Sequence, residues 1–216
     1  MANKSSTPGI LLRHCAPKDP SALTGDAAPA QLQGARATKI THLVSNTEDA
    51  ALGYPRLGTL YEVENIEPLL SLTADELNAD GATDSLIYKT IKGGRERPDL
   101  KSTPAIKGTF VIAVGITPKP ENVEDLHEWY NQEHIDLLSK VPGWRRSVRY
   151  ELVKAHGSGK AETPFIAFHF YDKENGVGGP EFQYCVDTAW TKKVVSSAVK
   201  PNYRRKWEIV EQEVLS

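Results

Sequence analysis

The run HEWYNQEH, residues 127–134, places two histidines, a tyrosine and two glutamates within about two helical turns. An imidazole near its ordinary pKa can take or give a proton at neutral pH, and a phenol one turn away adds a second hydrogen-bond donor. Wound at about 100° per residue, Glu121 to Val141 brings Val123, Leu126, Tyr130, His134, Leu137 and Val141 into one stripe roughly 120° wide, with His134 at its middle. Glu124, Glu128, Gln132, Asp136 and Lys140 fall on the opposite side. His134 therefore points inward, where a polar ring is costly unless a partner or a substrate uses it. It is the candidate general acid or base, with Tyr130 beside it. The competing reading is a core histidine satisfied by a backbone carbonyl or a neighbouring carboxylate. Glu133 points about 100° away from His134 and is expected to orient the helix.

A metal is not expected. The HExxH pattern sets two ligands one turn apart, whereas His127 and His134 are seven residues apart, roughly 10 Å along a helix axis. No GxGxxG opens a helix after a strand, and Gly176, Gly178 and Gly179 run into Pro180 and Glu181, a poor cradle for phosphate. No G-x-S-x-G elbow is present either. The expected cofactor is none, which leaves proton transfer in an apolar pocket.

Further candidates lie on apolar strands. His169 shares a face with Phe165, Ala167 and Tyr171, and His14 with Ile10 and Leu12; both are expected to join the site if those faces line the pocket. His42 is similar but falls in the less regular first half. Trp144, Tyr150, Phe165, Phe168 and Trp190 are the expected walls for an apolar substrate.

The elements that must position these residues are marked by their punctuation. Pro118 and Pro120 precede the long helix, Asn122 can cap it with Asp125 three residues on, and Pro142-Gly143 stops it. Beyond the stop, Trp144, Arg146, Val148, Tyr150 and Leu152 alternate with polar residues, which predicts a half-buried strand. Thr109 to Ile116 is a continuous apolar run, as for a central strand covered on both faces, and Pro164 to Tyr171 is a second aromatic strand. Glu181 to Val199 has helical spacing, and Arg205 to Val214 can form a last strand. In the first half, strands are expected at Gly9 to Ala16, Lys39 to Ser45, Leu57 to Val63 and Ser85 to Ile91, with short helices in Asn65 to Ala79 capped at Thr73. Pro17 to Ala37 reads as loop with room for one short helix.

That order is βαββαβ after residue 108 and a worn version of it before residue 94. The expected fold class is α+β: two ferredoxin-like halves, 1–94 and 108–216, joined by a Gly- and Pro-rich linker at 95–107 and fused into one α+β barrel, each sheet covering the other's open face. The first half is expected to be degenerate.

Composition narrows the partners. With 26 Lys+Arg against 28 Asp+Glu the formal charge is -2, so bulk charge favours neither nucleic acid nor an anionic membrane. No apolar run approaches a membrane span, and MANKSSTPG lacks the core of a secretory signal, so a cytosolic location is expected. Cys15 and Cys185 form no redox or disulfide motif and are expected to be reduced. The expected partners are a small hydrophobic substrate and, as an open option, a second copy of the chain in a homodimer.

The run WYNQEHIDLLSKVPGWRRSVRYEL, followed by GVGGPEFQ, DTAW and RRKWEI, resembles the EthD-type branch of the dimeric α+β barrel superfamily, in its fungal tandem form. The resemblance covers roughly Phe110 to Val210; the first half has no W-Y-x-x-E-H of its own. It implies a pocket between the long helix and the sheet, and small-molecule work in secondary metabolism. Its relatives include polyketide cyclases, dehydratases, decarboxylases, lactone isomerases and cofactor-free monooxygenases, so it implies no single reaction. The expectation is a cofactor-independent lyase or isomerase acting on a polyketide- or terpenoid-like intermediate. The alternatives are a cofactor-free monooxygenase of a phenol or anthrone and a non-catalytic binding barrel.

Overall fold

The computed structural model describes residues 6–15, 32, 34–45, 53–78, 82–100, 105–157 and 162–215. Eight strands form one antiparallel sheet: β1 Gly9–Cys15, β2 Ala37–Ser45, β3 Leu57–Val63, β4 Ala82–Glu96, β5 Phe110–Ile116, β6 Trp144–His156, β7 Phe165–Tyr171 and β8 Tyr203–Val214. Their order around a closed barrel is β1-β3-β2-β8-β5-β7-β6-β4, with β4 returning to β1. Each half on its own has the ferredoxin-like order, β4-β1-β3-β2 and β6-β7-β5-β8. The seams between them are β2 with β8, Lys39↔Val214 to Ser45↔Trp207, and β4 with β6, Ser85↔His156 to Glu96↔Arg146. Among the described residues no strand is left with an unpaired edge, as closure requires.

The barrel interior is a packed core. Ile10, Leu12, Leu43, Leu60, Tyr88, Tyr150, Phe168, Phe170 and Trp207 meet there from all eight strands' worth of alternating positions, with Val111 and Ala113 of β5 among them. At one end Arg146 forms a two-pronged ion pair with Glu62, Nη1 to Oε2 at 3.2 Å and Nη2 to Oε1, and lies 4.2 Å from the centre of the Phe170 ring. This pair joins the two halves from inside.

Helices cover the outside. Over the first half lie α1 Glu67–Leu70 and α2 Ala74–Leu77, the latter held by a reciprocal capping box between Thr73 and Glu76. Over the second lie α3 Val123–Trp129, a π-turn Tyr130–His134, α4 Ile135–Leu138, α5 Pro180–Asp187 and α6 Ala189–Ser196. The single long helix expected over Glu121 to Val141 thus contains a widened turn, where Ile135 N–H reaches back five residues to the Tyr130 carbonyl. One residue of phase is lost there. Upstream the buried positions are Leu126, Trp129 and Tyr130; downstream they are His134, Ile135, Leu138 and Val141, so Leu138 takes the place given to Leu137.

Other departures have local causes. Asn122 makes no side-chain cap, because Pro120–Asn122 is a 3-10 turn leading into α3. Gly143 ends the segment at φ 76°, and a Cβ there would sit 2.7 Å from the Glu174 carbonyl. A register shift between Trp144 and Arg146 turns Trp144 toward the helices while Arg146 enters the barrel, which breaks the alternation read from sequence. The first half of β6, Trp144 to Tyr150, is also covered on both faces: Ser147 and Arg149 are as buried as Tyr150. Thr188, extended at ψ 153°, divides the expected Glu181 to Val199 helix into α5 and α6. Most of Pro17 to Ala37 and the middle of the expected linker lie outside the described residues, and β4 itself runs on to Glu96.

Candidate active site

The outer face of the second half presents Ile112, Val114 and Ile116 from β5 and His169 from β7 to the underside of the helices. Between the two layers is a cavity of about 570 Å³, lined by these residues together with Trp129, Tyr130, His134, Leu138, Phe182, Val186 and Thr191. Its walls are mainly apolar, and it opens toward exposed Lys192, Val195, Ser196 and Arg204. Size and character suit a small, largely apolar molecule.

His134 and His169 stand at the closed end, 8% and 3% exposed, with ring centres 6.2 Å apart and planes at 80°. The Tyr130 ring lies 5.7 Å from His134 and 6.4 Å from His169. Each imidazole is held by a separate hydrogen-bonded chain. Trp144 Nε1–H donates to Ser147 Oγ at 3.0 Å, and Ser147 Oγ meets His169 Nδ1 at 2.8 Å. Among the described residues Ser147 Oγ has no acceptor for its own proton other than Nδ1, and assigning the proton there puts the hydrogen of His169 on Nε2, an atom with no protein partner. His134 is stacked on Trp129 at 4.1 Å and is hydrogen-bonded to the Cys185 backbone, while its Nδ1 has no partner. The Cys185 carbonyl also accepts from Thr191 Oγ1 at 2.9 Å, and Thr191 Oγ1 accepts from Trp129 Nε1 at 3.1 Å. Glu133 reaches the other way and accepts from Thr188 Oγ1 at 2.7 Å, tying the π-turn to the α5–α6 break.

Burial drives both histidines down to about 3; protonating either ring is further disfavoured at His134 by the neighbouring His169 and at His169 by the charges of Arg204 and Arg149. Both rings are therefore neutral at pH 7. Each offers one free nitrogen, a lone pair on His134 Nδ1 and a proton on His169 Nε2. Burial also raises the Tyr130 phenol, opposed by Arg149, whose guanidinium carbon lies 5.0 Å from the centre of the ring.

The remaining candidates are elsewhere. His14 is inside the barrel, stacked on Trp207 at 5.9 Å, and burial lowers it to about 4. The closed sheet separates it from the cavity. Phe168 and Tyr150 are also interior, 6.0 Å apart edge to face. Trp144 packs behind the cavity, where it positions Ser147. Phe165 lies against His127 at 5.0 Å, and half-buried Trp190 donates to Asp125 at 3.2 Å; neither lines the cavity. His42 contacts Thr59 at 3.2 Å in the first half. Trp129, Ser147, Thr191 and Arg204 had no individual signal in the sequence. Among the described residues no three His, Cys, Asp or Glu side chains gather in a way that could hold a metal ion, and no helix is long and apolar enough to cross a membrane.

No protein-family model and no curated protein matches the sequence. Solved structures do match. An "anthrone oxidase-like protein" superposes with a TM-score of 0.57 at 12% identity, covering 99% of this chain and 95% of that one. A "Putative monooxygenase" of Fusobacterium nucleatum subsp. nucleatum gives 0.59 at 10% identity over 97% and 95%. A "putative monooxygenase" of Lactobacillus acidophilus gives 0.55 at 12% identity over 97% of each chain. At such identities the likeness concerns the fold alone: along nearly its whole length this chain is a ferredoxin-like α+β barrel of the kind those proteins share.

Proposed function

We propose that the chain is a cofactor-independent enzyme that moves a proton on an enolisable, largely apolar small molecule held in the cavity beneath α3 and α6. The observation that carries this reading is the pair of neutral imidazoles at the closed end, one with a free lone pair and one with a free N–H. His169 Nε2–H donates to the substrate carbonyl oxygen, and His134 Nδ1 takes the adjacent carbon-bound proton. The enolate charge that develops offsets the cost of forming a buried imidazolium, so the base strengthens as the reaction proceeds. Tyr130 packs beside both rings and helps orient the substrate.

From the enolate, loss of a β-hydroxyl, attack on a second carbonyl or return of the proton elsewhere gives dehydration, cyclisation or isomerisation. A polyketide- or terpenoid-like intermediate fits this chemistry, in keeping with the EthD-type sequence resemblance. A second reading has support in the names of the structural neighbours: the same deprotonation of a phenol or anthrone yields an electron-rich anion that reacts with oxygen itself.

The test is α-proton exchange. In D2O, a panel of tetralones and anthrones is followed by NMR with wild-type protein and with His134→Gln, which keeps the size and polarity of the site. Exchange should fall by about 10² to 10⁴ in the variant, the usual contribution of a general base, with the melting temperature retained. Equal exchange in both proteins would remove His134 from the mechanism. Stoichiometric oxygen uptake by the wild type would select the monooxygenase reading. Tight binding unaffected by His134→Gln, with no exchange or turnover, would select a binding barrel.

A further inference from the structure

The open end of the cavity differs from its body. Inside, the walls are Ile112, Val114, Ile116, Leu138 and Phe182; at the mouth stand Lys192 of α6, Asn202 just before β8 and Arg204 in its first residues. Arg204 is exposed, its guanidinium carbon 5.8 Å from the centre of the Phe182 ring, and it makes no ion pair with any described carboxylate. Lys192 has an exposed partner in Asp187 at 3.1 Å, both side chains about two-thirds exposed, a contact that water and salt weaken. Asn202 lines the same opening, and its Oδ1 is buried with no hydrogen-bond partner. The cavity therefore has a polar, neutral floor at the two histidines, an apolar body and a cationic rim. The chain as a whole carries a formal charge of -2, so the rim is a local feature and not part of a general positive field.

We infer that the substrate is an amphipathic acid: its apolar skeleton fills the body of the cavity, its enolisable carbonyl reaches His134 and His169, and a carboxylate or other anionic group remains at the mouth on Arg204. This rests on reading the cavity as a substrate site and adds the anionic group to it. A guanidinium with a free edge meets a carboxylate through two parallel N–H bonds, whereas the ammonium of Lys192 serves as a point charge already shared with Asp187. The group next to the carboxylate would meet Asn202, whose unpartnered oxygen suits a hydroxyl or amide donor.

The experiment measures binding and needs no turnover. Titration calorimetry at pH 7.5 compares 2-naphthoate with methyl 2-naphthoate, two ligands of nearly equal shape that differ in charge, on the full-length protein. The acid should bind about tenfold more tightly than the ester, the low end expected of a charged hydrogen bond at a partly hydrated position. The preference should shrink as salt is raised and vanish in Arg204→Gln, while the ester's affinity stays as it was. Val195→Trp, a change at an exposed residue of the mouth, should weaken both ligands. Equal binding of acid and ester, or an acid preference that survives Arg204→Gln, overturns the anion site and leaves the proton-transfer reading standing. Failure of both ligands to bind, or binding that ignores Val195→Trp, overturns the use of the cavity itself. If His134→Gln leaves α-proton exchange untouched while the acid preference holds, the proton-transfer reading fails and the anion site stands.

Discussion

Ser147 Oγ lies 2.8 Å from His169 Nδ1 and accepts a hydrogen bond from the Trp144 indole, so one small hydroxyl fixes which nitrogen of the histidine faces the cavity. The arrangement is wholly buried, Ser147 being 0% exposed, and water cannot replace it easily. A neutral imidazole whose tautomer is set in this way is a directed donor.

Ser147→Ala should therefore slow α-proton exchange, by about tenfold if one hydrogen bond worth roughly 1 to 1.5 kcal/mol orients the donor. It should also lower stability by about 1 to 3 kcal/mol, since the Trp144 N–H and His169 Nδ1 both lose their partner inside the protein. Trp144→Phe should reduce exchange less, because Ser147 can still meet His169. A Ser147→Ala protein that exchanges at the wild-type rate would show that the tautomer does not matter to the chemistry.

Stability should fall on mild acidification. His134 and His169 at about 3 and His14 at about 4 all lie below the ordinary value of 6.5. The unfolded chain takes up protons at these residues as pH drops below about 6.5, whereas the folded chain does not until pH 3 to 4. Their contribution is complete above pH 6.5 and is lost progressively below it, at up to about 1.4 kcal/mol per histidine for each pH unit. Glu62, held below its usual range by Arg146 against the cost of burial, loses its contribution in a lower window, below the normal carboxylate pKa. Melting temperatures at pH 7.5 and 5 check the histidine part. His14→Phe, which can still stack on Trp207, should flatten the profile; an equal slope in the two proteins would mean that His14 does not remain neutral in the fold.

Residues 108–216 expressed alone should not form a stable monomer. That piece would expose Tyr150, Phe168, Phe170 and Trp207, and would lose the seams of β8 with β2 and of β6 with β4. Aggregation, or strong binding of a hydrophobic dye without a cooperative melt, is the expected result. A monodisperse, cooperatively melting monomer would show that each half is an independent domain.

Much of the fold was legible in the sequence because its signals are local. Leu57 to Val63 is bounded as expected, Thr73 caps its helix, and the strand order around residue 108 leads to the paired ferredoxin-like halves. What could not be read depends on irregularity or on distance. One extra residue in the Tyr130–His134 turn moved Leu138 inward in place of Leu137, and one shifted register sent Trp144 and Arg146 to opposite faces. Alternation told that Phe168 and His169 point to opposite sides of β7, but not that one side is the barrel core and the other the cavity. The site itself joins Ser147 to His169 and Trp129 to Thr191 across 22 and 62 residues, and no spacing rule links such positions.

The widened turn also bears on how the chain can change in length. In an unbroken α-helix an added residue swings everything after it by about 100°, so packing on one side of the insertion must be lost. Here the bulge has absorbed that swing: Leu126 before it and Leu138 and Val141 after it all grip the same sheet. The segment carrying Tyr130 and His134 can therefore shorten by a residue at exposed Gln132 and relax to a regular helix without unseating either end. The wall of the cavity is thus a place where a small insertion or deletion can reshape the pocket while the barrel stays intact, a freedom that side-chain exchange on a rigid helix does not give.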